Sequence, residues 1–271
     1  MKIFMCTDME GVAGMIDHDE WVVPSGRYYE QGKELLTREV NAALRGLFEG
    51  GADEIHVLDG HGYGGLIPSL LDPRALYIRC LGVPWPLGLD TGCNGMCWIG
   101  QHAKSGTARA HMPHTGSMHV LDMRINDISV GEFGQFSFIA RELGVPPFFV
   151  TGDDAMANEA DRLYPGIVTV KVKRGLTADA GDECDADAYR SHNLSAVHMH
   201  PEVACDRIRE GAQRAMRLLR GGLPYNTWPI NGPFVKTVRY RKSGERPAYI
   251  AEARHPASVI GLMHTHETVI G

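Results

Sequence analysis

The 271-residue chain is 44% hydrophobic and 22% charged, ordinary proportions for a globular protein with room for a full core. Its formal net charge of −6 argues against a nucleic-acid surface, which needs a basic face. No apolar stretch approaches the roughly 18 residues that span a bilayer, and no charged-then-apolar leader precedes the first strand-like run, so neither membrane partner nor secretory signal is expected and the location reads as cytoplasmic.

Taken in chain order, KIFMC (2–6) is a short apolar run that ends at Thr-Asp-Met-Glu-Gly. The segment after it, RYYEQGKELLTREVNAALRGLFEGG, repeats apolar residues at spacings of three and four (Leu36, Val40, Ala43, Leu44, Leu47) and stops at Gly50-Gly51, which predicts an amphipathic helix. EIHVLD (54–59), MCWIG (96–100) and PFFV (147–150) are further apolar runs bounded by glycine or charge, the pattern of buried strands. A helix is expected over 132–143, ending at Gly144. Strand–helix–strand alternation on this scale predicts parallel crossovers and an α/β layer structure.

Beyond this the character changes. TADAGDECDADAY (177–189) is acidic and reads as an exposed loop, and PEVACDRIREGAQRAMRLLRGG (201–222) as a helix with proline near its start. FVKTVRY (234–240), AYIAEA (248–253) and SVIGLM (258–263) read as three strands. The expectation is therefore an α/β fold with a mostly parallel, helix-covered sheet over 1–175 and a smaller α+β part over 176–271, either as two units or as one continuous domain. Six cysteines, with only Cys93 and Cys97 close in sequence, do not make a disulfide scaffold or a structural zinc site.

Chemistry collects where the strands end. Asp8 and Glu10 follow the first strand, Asp59 and His61 the second, and His102 the third. In a parallel sheet these exits share one edge, and residues at i and i+2 of extended chain face the same way. Two carboxylates and two histidines converging there suit zinc, and also manganese, cobalt or iron, and a cation would offset the repulsion between the acids. Each residue alone also reads as an ordinary strand-end polar group; the coincidence of three strand ends favours a metal site. Asp59 is either a support for His61 or a turn residue.

The segments TDMEGVAG, LDGHG, GQHA and VGEFG, in this order, resemble the M55 metallopeptidases, the D-aminopeptidase family. The resemblance runs from Met1 to about residue 175 and fades through the acidic segment and the tail. It implies a centre of two zinc ions, with manganese or cobalt as alternatives, held by Asp8, Glu10, His61, His102 and Glu132. Without it, Glu132 reads as a first-turn helix acid. The resemblance also assigns catalysis to His114 in HMPHTGS, where His111 and His119 are the local rivals. Asp153 and Asp154 receive no role.

The implied reaction is hydrolysis of a peptide or amide bond in a small substrate by metal-activated hydroxide, with Asp8 shared between the ions and His114 handling the intermediate or the leaving amine. The acidic segment and a tail that reads as shortened, without a closing helix, depart from the family. They leave open a non-peptide amide or carbamoyl substrate, and a non-catalytic role in binding metal or a dipeptide. A metallophosphatase ranks third, because Lys104 and Arg109 are the only bases near the ligand segments. The family assembles as decameric rings of two stacked pentamers, so a homo-oligomer is expected. Tail residues His255, His264 and His266 are candidates to reach a neighbouring subunit or to lie in a fraying end.

Overall fold

The computed structural model describes residues 1–225 and 231–271. The first part of the chain forms β1 (Lys2–Thr7), α1 (His18–Trp21), α2 (Tyr29–Glu49), β2 (Glu54–Asp59), β3 (Ala75–Ile78) and β4 (Gly95–Gln101). There follow β5 (Val120–Ile125), β6 (Ile128–Ser129), α3 (Glu132–Glu142), β7 (Pro147–Asp153), α4 (Asp154–Leu163) and β8 (Val168–Gly175). The remainder comprises α5 (Ala186–His192), β9 (Ala196–His198), α6 (Pro201–Gly221), β10 (Phe234–Tyr240), β11 (Tyr249–His255), α7 (Val259–His264) and β12 (Thr268–Val269).

Seven strands make one sheet in the order β3-β2-β1-β4-β7-β8-β9, parallel except for β9 at the edge. The four strands expected from apolar runs are its centre, β2-β1-β4-β7. Their composition follows from burial on both faces. Ile3 and Met5 of β1 join Cys97 and Ile99 of β4 in a core closed by Leu36, Val40 and Leu44 of α2 and Ala204, Ile208 and Ala212 of α6. Phe4, Met96 and Trp98 point the other way, into a second core with Phe133, Phe136 and Ile139 of α3 and Met156 of α4. Period-two alternation thus assigns neighbouring residues to opposite layers.

The remaining strands form a separate antiparallel sheet, β12-β11-β10-β5-β6. β5 and β6 are joined by Asn126 and Asp127, both at positive φ (47° and 64°), the backbone of a two-residue hairpin turn. Strands from both sides of residue 175 meet in each sheet, β9 beside β8 and β10 beside β5, and we therefore propose one continuous domain.

Two expectations are corrected. SVIGLM is not a strand: Ser258 caps α7 by accepting the Gly261 N–H at 2.9 Å, Glu142 accepts the Ile260 N–H at 3.1 Å, and Val259 and Leu262 are buried at helical spacing. The acidic segment is not wholly an exposed loop. Asp185 caps α5, whose Ala186 and Tyr189 are buried, and Arg241 stacks over the Tyr189 ring at 3.6 Å while donating to the Cys184 carbonyl at 3.1 Å. Among the described residues no helix is long and apolar enough to cross a membrane.

Candidate metal centre

The chain leaves β1 and β4 side by side, and the strand order reverses between them: β2 and β3 lie on one side, β7 and β8 on the other. Loops following the strands diverge at such a reversal and open a crevice at the carboxyl edge. Asp8 and Glu10 occupy the loop after β1, His61 the loop after β2, and His102 the loop after β4. Glu132 opens α3, and His114 lies in the long connection between β4 and β5.

Two loops are held together by backbone. A Cβ on Gly11 would lie 2.2 Å from the Gln101 carbonyl oxygen. One on Gly100, whose φ is +75°, would lie 2.2 Å from that of Asp8. Glycine at both positions lets the ligand-bearing loops touch directly.

The acids and histidines fall into two groups, Asp8 with Glu10 and His61, and His102 with His114 and Glu132, each with candidate ligand atoms within 4.8 Å of one another. Asp8 connects them. Its Oδ1 lies 3.1 Å from His61 Nδ1 and its Oδ2 lies 3.2 Å from His102 Nε2. Glu132 Oε1 is 3.6 Å from His102 Nε2 and 3.8 Å from His114 Nε2, and the two imidazole rings stack at 3.9 Å.

Each histidine is oriented by a backbone carbonyl. His61 donates from Nε2 to Val22, His102 from Nδ1 to Ala103, and His114 from Nδ1 to Met112, at 2.7, 2.9 and 3.1 Å. A carbonyl can only accept, so the second nitrogen of each ring is the one presented to the carboxylates, as in histidine metal ligands. Glu132 is held by the Gly116 N–H at 2.7 Å.

The residues fit a metal by a further observation. Glu10 Oε2 and His102 Nε2 are buried and make no hydrogen bond among the described residues. His61 Nδ1 and Asp8 Oδ2 stand only 3.3 and 3.2 Å from them, so the atoms converge without hydrogen-bond geometry. Buried polar atoms are rarely left so, and a cation held by each ligand group would satisfy them. The electrostatics agree. Burial would neutralise Asp8, yet His102 and His61 hold its carboxyl well below the usual carboxylate range. Burial likewise disfavours a charge on His61, but Glu10 and Asp8 push it up to about 12. Burial opposes the charge of Glu132 too, and His102 nonetheless draws it down to about 2. The pocket is thus organised around positive charge.

The family model for Peptidase M55, described as D-aminopeptidase, matches residues 1–253. The chain belongs to that family. The match carries the likeness well past residue 175, through the acidic segment and into β11. This M55 chain is 35% identical over 183 residues to the D-aminopeptidase of Bacillus subtilis (strain 168), an alignment spanning 66% of each protein. Among solved structures it is similar to the Zn-dependent D-aminopeptidase DppA from Bacillus subtilis, described as a self-compartmentalizing protease, with a TM-score of 0.81 and 25% identity over 97% of this chain and 94% of that one.

All six residues singled out by the M55 resemblance lie together at this edge. The other strand-end residues do not. Asp59 accepts the Gly65 N–H at 2.7 Å and the Tyr77 hydroxyl at 3.1 Å, bracing the loop that carries His61 without touching it. Asp153 caps α4 and accepts the His111 N–H, and Asp154 pairs with Lys171. His111 turns toward the carbonyls of Ile16 and Leu194. His119 lines the cavity but joins neither ligand group. In the tail, His255 accepts the Ser258 N–H and His264 Nε2 is 3.2 Å from the Trp85 carbonyl oxygen.

Sequence reasoning missed His18, which is buried, lines the cavity and meets the His114 ring edge-on at 5.6 Å. Burial and then His114 keep its pKa well below the usual histidine value, so it stands neutral. It follows no strand, and only its place after the capping Asp17 marks it. Asp187, from the segment read as an exposed loop, and Arg190, the residue just beyond it on α5, also line the cavity.

Proposed function

We propose that the protein is a zinc-dependent aminopeptidase that hydrolyses the amide bond after an N-terminal D-residue of a small peptide. The observation that carries this reading is Asp8, with one carboxylate oxygen facing each of two ligand groups. That geometry suits a carboxylate shared by two ions, with Glu10 and His61 completing one set and His102 and Glu132 the other. Zinc held there supplies Lewis-acid chemistry, activating a water as nucleophile and polarising the scissile carbonyl. The D-aminopeptidase relatives support both the metal and the bond class.

The chain's own residues then divide the work. Val22 and Ala103 fix the rings of His61 and His102 through their carbonyls, and the Gly116 N–H fixes Glu132. His114, anchored at Nδ1 by Met112, turns Nε2 toward Glu132, from where it would take the proton lost by the attacking water and pass it to the leaving amine. Neutral His18 packs against His114 and restricts its ring. By the same likeness, the protein functions as a closed homo-oligomer, which light scattering of the purified protein would test.

The catalytic reading is tested with zinc-reconstituted protein and matched D- and L-dipeptides, amino-acid amides and non-peptide amides, with and without chelator. Chelator-sensitive cleavage of the D-peptides is the expected result. Cleavage confined to non-peptide amides would keep the centre and discard the aminopeptidase assignment.

A further inference from the structure

The cavity over the ligand groups has a volume of about 660 Å³, within the range of roughly 300–1,000 Å³ typical of small-molecule sites. Beside the ligands, it is lined by Leu58, Trp85, Leu87, Trp98, Met123 and Phe136. These six belong to, or pack against, the core between the parallel sheet and α3. Phe136 is the hub of their aromatic part, meeting Trp85 edge-on at 4.9 Å and Trp98 at 6.4 Å. Leu58, Trp98 and Phe136 are buried, whereas Trp85, Leu87 and Met123 are only half-buried and present apolar surface to the cavity.

The loop that supplies Trp85 and Leu87 carries an independent mark. Leu87 has φ +56°, the left-handed region that a leucine adopts only at a cost, although glycine follows at position 88. Its backbone is held in place by the Pro84 carbonyl, which accepts the Leu87 N–H at 3.2 Å, and by Cys80 Sγ, which donates to the Leu87 carbonyl at 3.3 Å. His264 of α7 braces the Trp85 carbonyl from outside. Strain of this kind persists where surrounding contacts enforce it and concentrates at ligand clamps. Here it places an isobutyl group on the cavity wall.

We propose that this wall is a specificity pocket for a bulky apolar side chain, aromatic or long aliphatic, carried by a residue next to the scissile bond. The proposal rests on the peptidase reading for its bond, but the pocket is a property of the wall. A methyl side chain would leave the half-buried surfaces of Trp85, Leu87 and Met123 facing water; a phenyl ring would cover them.

The test compares kcat/KM for D-Ala-D-Ala, D-Phe-D-Ala and D-Ala-D-Phe, in wild type and in Leu87→Gly. Glycine tolerates φ +56°, which offsets the loss of the half-buried isobutyl group, and an unchanged circular dichroism spectrum checks that the variant keeps its fold. Wild type is expected to favour one of the phenylalanine peptides at least tenfold, about the discrimination hydrophobic pockets achieve, and Leu87→Gly to reduce that ratio at least threefold. Equal or faster cleavage of D-Ala-D-Ala would overturn the proposal. A second readout uses metal-free protein, where tryptophan emission is titrated with D-phenylalaninamide and D-alaninamide. A saturable change with the first alone, weakened in Leu87→Gly, is expected, and no difference between the two overturns the pocket. Binding without cleavage of any peptide would leave the pocket standing and remove the peptidase reading, whereas cleavage without apolar preference would do the reverse.

Discussion

Glu39 offers a test of how this fold tolerates charge behind its site. The residue is on α2, 1% exposed, and its Oε1 accepts the Ala13 N–H at 2.9 Å while Oε2 meets no donor among the described residues. Burial pushes its carboxyl up to about 7, against the Ala13 N–H and the Lys173 ammonium. A rise from 4.5 to about 7, at about 1.4 kcal/mol per pH unit, corresponds to about 3 kcal/mol. Because the folded pKa is the higher one, the contribution of Glu39 to stability is complete below about pH 4.5 and is lost as the pH rises through about 7. Gln at this position keeps the acceptor for Ala13 and cannot ionise. Glu39→Gln is therefore expected to match wild type at pH 4.5 and to exceed it by up to about 3 kcal/mol at pH 8.5, measured by urea unfolding of metal-free protein. The attraction of Lys173 is already contained in the value of about 7. An identical difference at both pH values, or a less stable variant at pH 8.5, would refute the reasoning, since it would mean that Lys173 fully stabilises the buried carboxylate.

Further outcomes follow from the centre itself. On the two-ion reading proposed above, Asp8→Asn is expected to lower the zinc bound per chain with the circular dichroism unchanged, read by elemental analysis of dialysed protein. His114→Gln is expected to cut kcat by roughly 10²–10⁴ with zinc content intact; loss of zinc would instead make His114 a ligand beside His102 and Glu132. Gly100→Ala is expected to cost at least 2 kcal/mol in urea unfolding, from roughly 1–2 kcal/mol for the left-handed backbone and the rest from the clash with the Asp8 carbonyl.

The centre of the fold was readable because β1, β4 and β7 are buried on both faces and β2 nearly so, and apolar residues dominate all four. The outer strands carry no such mark. Ala75–Ile78 is only half covered, and Val168–Gly175 alternates apolar residues with Lys171, Lys173 and Arg174, so the apolar-run criterion passes over both. The hairpin of β5 and β6 had a legible turn in Asn126-Asp127, but its strands are short and mixed. SVIGLM misled because β-branched residues outweighed the capping serine in a six-residue segment. At the site, Asp8, Glu10, His61 and His102 were accessible from strand ends and spacing. Glu132 and His114 were not: one looks like a helix-start acid, the other lies in a long connection, and only the family motifs marked them. The cavity wall was invisible because Trp85 and Leu87 belong to no periodic element, and a strained φ leaves no trace in a leucine.

The contact between the Gly11 and Gly100 backbones has a consequence for how such an enzyme can diversify. Where two main chains touch with no room for a methyl group, no side chain can be traded to retune the ligands they carry. The segments around Leu87 and along α5 face the same cavity from positions where substitution moves no ligand. A saturation-mutagenesis map should therefore be sharply divided, with an immutable seam at the strand ends and a permissive rim above it. New substrates would be acquired by rewriting the rim while the seam stays as it is.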